Sequence, residues 1–169
     1  MNESYNSGMS AIGLEYQVLD DVKHPDAKLG TVGNRTLASL YDIIPSYKND
    51  PRFQKKIGEW NQGRIVVYPN NIVQHWLNGF KVLEYERKSN IFKVLVAHSK
   101  HAKWDGYGSQ DEGAILFQEH GDSVFYKNIK TNNRCQKYVH TFILMEIRKK
   151  RLSFIVQYSE ENSLVCNAL

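Results

Sequence analysis

The chain has 169 residues, 41% of them apolar and 12% aromatic, with 22 Lys and Arg against 18 Asp and Glu and a formal net charge of +4. That length fits one domain, and ten Tyr, seven Phe and three Trp supply the bulk of a core, which excludes a disordered or fibrous chain. No stretch approaches the ~18 uncharged apolar residues of a membrane-spanning helix, and the opening MNESYNSGMS lacks the charged-then-apolar layout of a secretory signal. No membrane span is expected, and the compartment stays open.

Residues 12–19 alternate: Ile12, Leu14, Tyr16 and Val18 share one face, while Glu15, Gln17 and Leu19 share the other. That pattern is a strand with one packed face and one face bearing a carboxylate and an amide. Asp20 and Asp21 open a loop through His24-Pro25-Asp26 to the turn cluster at Gly30–Asn34. Residues 36–44 suit a helical turn or a strand, and the flanking turn residues favour a strand. Strands are then expected over 64–68, 72–77 and 80–86, with Asn78-Gly79 as a two-residue turn. A type I′ turn there pairs Leu77 with Phe80, His75 with Val82 and Val73 with Glu84, and turns Gln74 and Trp76 to the opposite face. Residues 91–98, 114–118 and 123–129 read as three further strands. Many short strands, frequent turns and no convincing amphipathic helix predict an antiparallel all-β sandwich or barrel.

Composition changes near residue 130. All eleven Gly and all four Pro lie at or before Gly121, and both Cys lie in the last 39 residues. Average usage would put about four or five Gly and Pro in that stretch. Residues 1–130 carry 16 basic and 15 acidic groups, whereas 131–169 carry six and three, so most of the basic character belongs to the C-terminal part. Its only dense basic run is Arg148-Lys149-Lys150-Arg151, which more often ends or solvates an element than binds nucleic acid; no nucleic-acid partner is expected.

The residues with chemistry each have a plainer reading. Glu15 and Gln17 can be a solvated outer face. Gln118 and His120 share a face if their strand persists, and His120 can equally cap a turn. His75, among Val73, Leu77, Phe80 and Val82, reads first as a core histidine. Trp76 with Gln74 offers an indole face on which a pyranose can stack, or a packed side chain. No HExxH, GxSxG, Walker or dinucleotide motif occurs, so no metal and no cofactor are expected.

The strings Gly13-Leu14-Glu15-Tyr16-Gln17-Val18-Leu19-Asp20-Asp21, Lys23-His24-Pro25-Asp26-Ala27 and Gly33-Asn34-Arg35-Thr36-Leu37-Ala38-Ser39-Leu40-Tyr41-Asp42 occur in order. They are followed by Trp60-Asn61, Arg64-Ile65-Val66, His75-Trp76-Leu77-Asn78-Gly79, residues 113–118, His120-Gly121-Asp122 and Asn128-Ile129-Lys130. From about Asn6 to Lys130 the chain resembles the 3-keto-disaccharide hydrolase family. The resemblance implies a concanavalin-like jelly-roll sandwich with a sugar cleft, export to the periplasm or cell surface, and action on glycosides whose C3 hydroxyl is oxidised to a ketone. Compared with full family domains, the chain looks shortened at its start. The expectation is therefore an incomplete sandwich over 1–130 followed by an unmatched extension over 131–169, replaced or frame-shifted. Family-like coding sequence in another frame beyond Lys130 or upstream of Met1 would be found in the encoding DNA, and its absence from both places would remove the idea.

Two carboxylates flank the bond in an ordinary glycosidase, but the positions two and four after Glu15 are Gln17 and Leu19. A 3-keto sugar has another route. The ketone acidifies the C2 proton, and the C1 substituent lies β to the resulting enolate, so a base, an acid and donors to the enolate oxygen suffice. The resemblance and the strand faces give Glu15 as base and His120 or His75 as acid. Gln17, Gln118, Arg35 and His24 orient hydroxyls or polarise the ketone, and Asp20, Tyr41 and Trp76 complete the substrate-binding candidates. The expected partner is an oligosaccharide or glycoside; oligomeric state is left open. The rival readings are a carbohydrate-binding, lectin-like module without turnover and a non-functional fragment.

Overall fold

The structure, a computed structural model, describes residues 13–111, 115–119, 124–132, 139–147 and 151–156. Among the described residues, eight strands form two antiparallel sheets. β1 (Leu14–Leu19), β8 (Arg151–Val156) and β5 (Ile115–Glu119) make a three-stranded sheet in the order β1-β8-β5. β4 (Phe80–Glu86), β3 (Ile72–Leu77), β2 (Trp60–Val67), β7 (Val139–Ile147) and β6 (Val124–Asn132) make a five-stranded sheet in the order β4-β3-β2-β7-β6. Leu14, Tyr16 and Val18 of β1 pack against Ile65, Val73, Leu77, Val82 and Tyr85 of the larger sheet, with Phe117 and Tyr126 at the margin. The chain is thus an all-β sandwich, as the strand pattern predicts.

The β3–β4 hairpin follows from its turn. Asn78 and Gly79 have φ of +50° and +88°, the two positive values a type I′ turn needs. Leu77 pairs with Phe80 as expected, but a bulge then shifts the register, so His75 pairs with Leu83 and Val73 with Tyr85 rather than with Val82 and Glu84. The extra residue is Val82. Its insertion lets Val82 and Leu83 both be buried, which strict alternation forbids.

Two expected strands are absent. Residues 91–98 instead form the helix α1 (Asn90–Ala97), whose N-cap Ser89 accepts a hydrogen bond from the Phe92 amide at 3.1 Å. Phe92, Leu95 and Val96 face the core at helical spacing, while Ile91 and Val94 are exposed; an eight-residue apolar run does not distinguish the two periods. Residues 36–44 form turns, with isolated bridges from Leu40 to Tyr16 and to Ile44. Ala38 (φ +65°) and Asp42 (φ +62°) are left-handed, which breaks any strand. Their amides nonetheless donate to Gln17 O and Asn34 O, both at 2.8 Å.

The change in composition near residue 130 has no counterpart in the pairing. β7 lies between β2 and β6, and β8 lies between β1 and β5, so each is an interior strand of its sheet. None of the expected strands fell in this stretch. Among the described residues no helix is long and apolar enough to cross a membrane.

Candidate functional site

The strand β1 is buried on both faces, contrary to a solvated Glu15–Gln17 side: Glu15 is 6% exposed and Gln17 0%. One reason lies in the loop at its free edge. Gln17 N donates to Ser39 O at 3.1 Å, and Tyr41 N donates to Glu15 O at 3.0 Å, flanking the Tyr16–Leu40 bridge. Residues 39–41 therefore run antiparallel to β1 as a short added edge. Tyr16 and Leu40 point into the core, so Glu15 with Tyr41, and Gln17 with Ser39, lie on the face turned away from it. On the other side the register sets Gln17, Ser153 and Gln118 in one row across β1, β8 and β5. Gln17 Oε1 accepts from the Val18 amide, while its buried Nε2 meets no partner among the described residues.

Behind this edge is a charged network. Arg35 Nε donates to Asp42 Oδ1 at 2.6 Å and Arg35 Nη1 to Asp26 Oδ1 at 2.9 Å, with the guanidinium 20% and the two carboxylates 9% and 10% exposed. Burial opposes the charge on Arg35, but the hydrogen bonds to Asp42 and Asp26 outweigh it and hold the guanidinium protonated. Asp42 Oδ2 also accepts the Lys100 amide at 2.7 Å, which ties the loop to a 3₁₀ turn (Lys100–Lys103) 58 residues away. Both Lys100 Nζ (3.8 Å) and Arg35 Cζ (5.5 Å) lie over the Tyr41 ring. His101 stacks on Tyr107 at 4.2 Å and hydrogen-bonds the Tyr41 backbone; burial, then Lys100, push it down to about 4, so it is neutral.

Arg35 and Tyr41 are thus brought together next to Glu15 and Gln17. His24 and Asp20 are neighbours in the same loop with local work to do. Asp20 Oδ1 accepts the Val22 and Lys23 amides, and His24 Nδ1 accepts the Asp26 amide as cap of a 3₁₀ turn. His75 is not with them. It is fully buried between Tyr16 and Tyr85, with Nδ1–H donating to Ala38 O at 2.9 Å, and burial pushes it down to about 4. Trp76 points away from the core on the five-stranded sheet, its indole N–H on Gln74 Oε1 at 3.0 Å and its ring under Arg64 at 4.0 Å. Glu15 and Trp76 therefore stand on opposite outer faces, separated by two sheets and a core about 10 Å thick, and cannot line one cleft. Gln118 is described in its backbone alone, and His120 lies outside the described residues. Lys100, His101, Asp26 and Asp42 were missed by sequence reasoning, because no local pattern links residue 42 to residue 100.

Residues 3–132 match the family model of the 3-keto-alpha-glucoside-1,2-lyase-like domain. A 3-keto-disaccharide hydrolase of Bacteroides thetaiotaomicron is 43% identical over 126 residues, which cover 69% of this chain and 42% of that protein. The chain thus spans less than half the length of that curated relative. The family match ends where β6 ends, at residue 132, and includes Glu15, Gln17, Arg35, Tyr41 and Lys100. Two facing antiparallel sheets, a carboxylate and an amide on the outer face of the smaller one, and this match together establish that the chain belongs to the 3-keto-disaccharide hydrolase family of concanavalin-like sandwiches.

Proposed function

We propose that this chain acts on glycosides carrying a ketone at C3 and cleaves the C1 bond by elimination followed by addition of water. The family's description names a 1,2-lyase and the relative's name a hydrolase of 3-keto-disaccharides, and elimination plus hydration gives both outcomes. Glu15 is the base that takes the C2 proton. Gln17 and Gln118, in one row across the sheet, bind sugar hydroxyls, and Arg35 and Tyr41 bound the same face. His120 is retained as the acid that protonates the departing oxygen. His75, bonded inside the core, and Trp76, on the far face, are left out.

The observation that carries this reading is the edge pairing that sets Glu15 beside Tyr41 on a face turned away from the core, where burying a carboxylate costs stability. The test is to incubate the purified chain with a 3-keto-glucoside in deuterium oxide. Cleavage with deuterium entering C2 faster than in protein-free buffer is expected, as is its loss, by about a hundredfold or more, in Glu15→Gln. Cleavage at the same rate in Glu15→Gln would remove Glu15 from the reaction.

A further inference from the structure

Of the side chains that can polarise a ketone, Arg35 is held between Asp42 and Asp26, and His24 caps a turn through Nδ1. Gln17 is placed differently. Its Oε1 accepts the Val18 amide at 3.2 Å, which fixes the side-chain amide, since the reverse orientation would set an NH2 against an N–H. Among the described residues Nε2 is then a buried donor with no acceptor. Ser39, fully buried beside it, turns its hydroxyl to Asn34 O at 3.0 Å instead. A donor sealed from water without an acceptor costs stability, and in native structures such an atom marks a bound group or a catalytic role. Alternation on β1 sets Gln17 on the face of Glu15, two residues or about 7 Å away. Glu15 is 6% exposed and Gln17 0%, so a sugar that enters past Glu15 carries the atoms next to its C2 deepest, toward Gln17.

We propose that Gln17 Nε2 is the donor that meets the C3 oxygen of the 3-keto sugar as negative charge forms there. The inference rests on the reading of the preceding section and narrows the part of Gln17 in it to this one oxygen. C2 and C3 are adjacent, so a base and a donor about 7 Å apart on one strand face reach the C2 proton and the C3 oxygen with one contact of about 3 Å each. Glu15 takes the C2 proton, the C–H pair becomes the C2–C3 double bond, and the carbonyl pair moves onto the C3 oxygen. Gln17 donates a hydrogen bond to that oxygen and keeps its proton. The pair then returns to re-form the ketone, the C1–C2 double bond forms, and the C1–O bond breaks with its electrons passing to the leaving oxygen, which the acid protonates. The first step creates charge at the C3 oxygen, so a donor held in place there stabilises the transition state more than the ground state.

Cleavage of a 3-keto-glucoside is measured with the whole chain, Gln17→Met and Gln17→Glu, each first checked for a wild-type melt. Gln17→Glu keeps the side-chain shape and the oxygen that takes the Val18 amide, so it reports where Gln17→Met does not fold. Turnover is read at the top of each pH profile, which separates a lost donor from a shifted Glu15. The expected result is a loss in kcat of about a hundredfold in both variants with KM little changed. Wild-type turnover in either variant overturns the role of Gln17 and leaves the keto-sugar reading standing. A rise in KM with kcat retained does the same, because it makes Gln17 a binder of a hydroxyl. If the wild type binds without cleaving, affinity for the 3-keto-glucoside is compared with affinity for a 3-deoxy-glucoside, which has no C3 oxygen. A tenfold loss in the variants confined to the 3-keto-glucoside supports the assignment, and equal changes for the two sugars overturn it. A wild type that neither binds nor cleaves the 3-keto-glucoside overturns both readings.

Discussion

The sandwich has two outer faces, and they treat polar groups in opposite ways. On the five-stranded sheet, Lys81 and Glu84 pair at 2.7 Å with both side chains 43% exposed, Gln74 bridges Glu84 to Trp76, and Arg64 lies over the indole. Such a face is solvated, and each contact stabilises by only tenths of a kcal/mol. On the three-stranded sheet, Glu15 and Gln17 are buried, Asp42 holds Arg35 and the Lys100 amide, and two left-handed residues bend the loop that supplies Tyr41. Burying polar groups and straining backbone both cost stability, and a fold retains such costs where a site needs fixed charges. The contrast supports placing the proposed site on the Glu15 side.

The largest test removes what both faces share. A chain ending at residue 132 loses the interior strands β7 and β8, leaving β1 and β5 without their common partner. A cooperative melt is expected for the full chain and none for the shortened one, by circular dichroism; a cooperative melt in the shortened chain would show that β1–β6 fold alone. A smaller perturbation separates the faces. Asp42→Ala leaves Arg35 half-buried with one carboxylate and puts a Cβ-bearing residue with no local bond at φ +62°, for a loss of about 3–4 kcal/mol in denaturant unfolding. Glu84→Ala, on the other face, stays within about 0.5 kcal/mol. Similar losses for both would erase the contrast.

The third test uses pH on the layer between the faces. His75 is held at about 4 in the native state against 6.5 when exposed, so the unfolded chain binds the proton first as pH falls. Its contribution is complete above pH 6.5 and lost by up to ~3 kcal/mol on the way down to 4. His101, also near 4, moves in the same direction. Thermal melts between pH 7 and 4 should show this slope, and His75→Phe should flatten it; an unchanged slope would mean that other groups set the acid limb.

The hairpin 72–86 was legible because its turn chemistry is local: Asn-Gly fixes the reversal and alternation fixes the faces. The Val82 bulge was not, since strict alternation cannot bury Val82 and Leu83 together and no turn residue marks the inserted position. The helix α1 escaped because its apolar run is too short to show a period, and Ser89 as its cap is a weak signal in isolation. Glu15 and Gln17 were legible as a polar face, but their burial depends on residues 39–41, whose path is set by left-handed turns at Ala38 and Asp42. Lys100 was invisible for the same kind of reason, its place being defined by one hydrogen bond across 58 residues. The absence of Gly and Pro after residue 130 is a change in composition with no local pattern of its own, and interior strands have little use for either residue.

The position of β7 and β8 also governs timing. Each sheet waits for a strand that is made long after its partner: Leu14 must find Val156, and Trp60 must find Glu146. Until residue 156 has emerged from the ribosome, β1, β2, β5 and β6 expose unpaired edges, and such open ladders invite pairing with other chains. Closure is a long-range event with a large loop entropy, which places this protein among slow folders that depend on being kept apart from their own copies during synthesis.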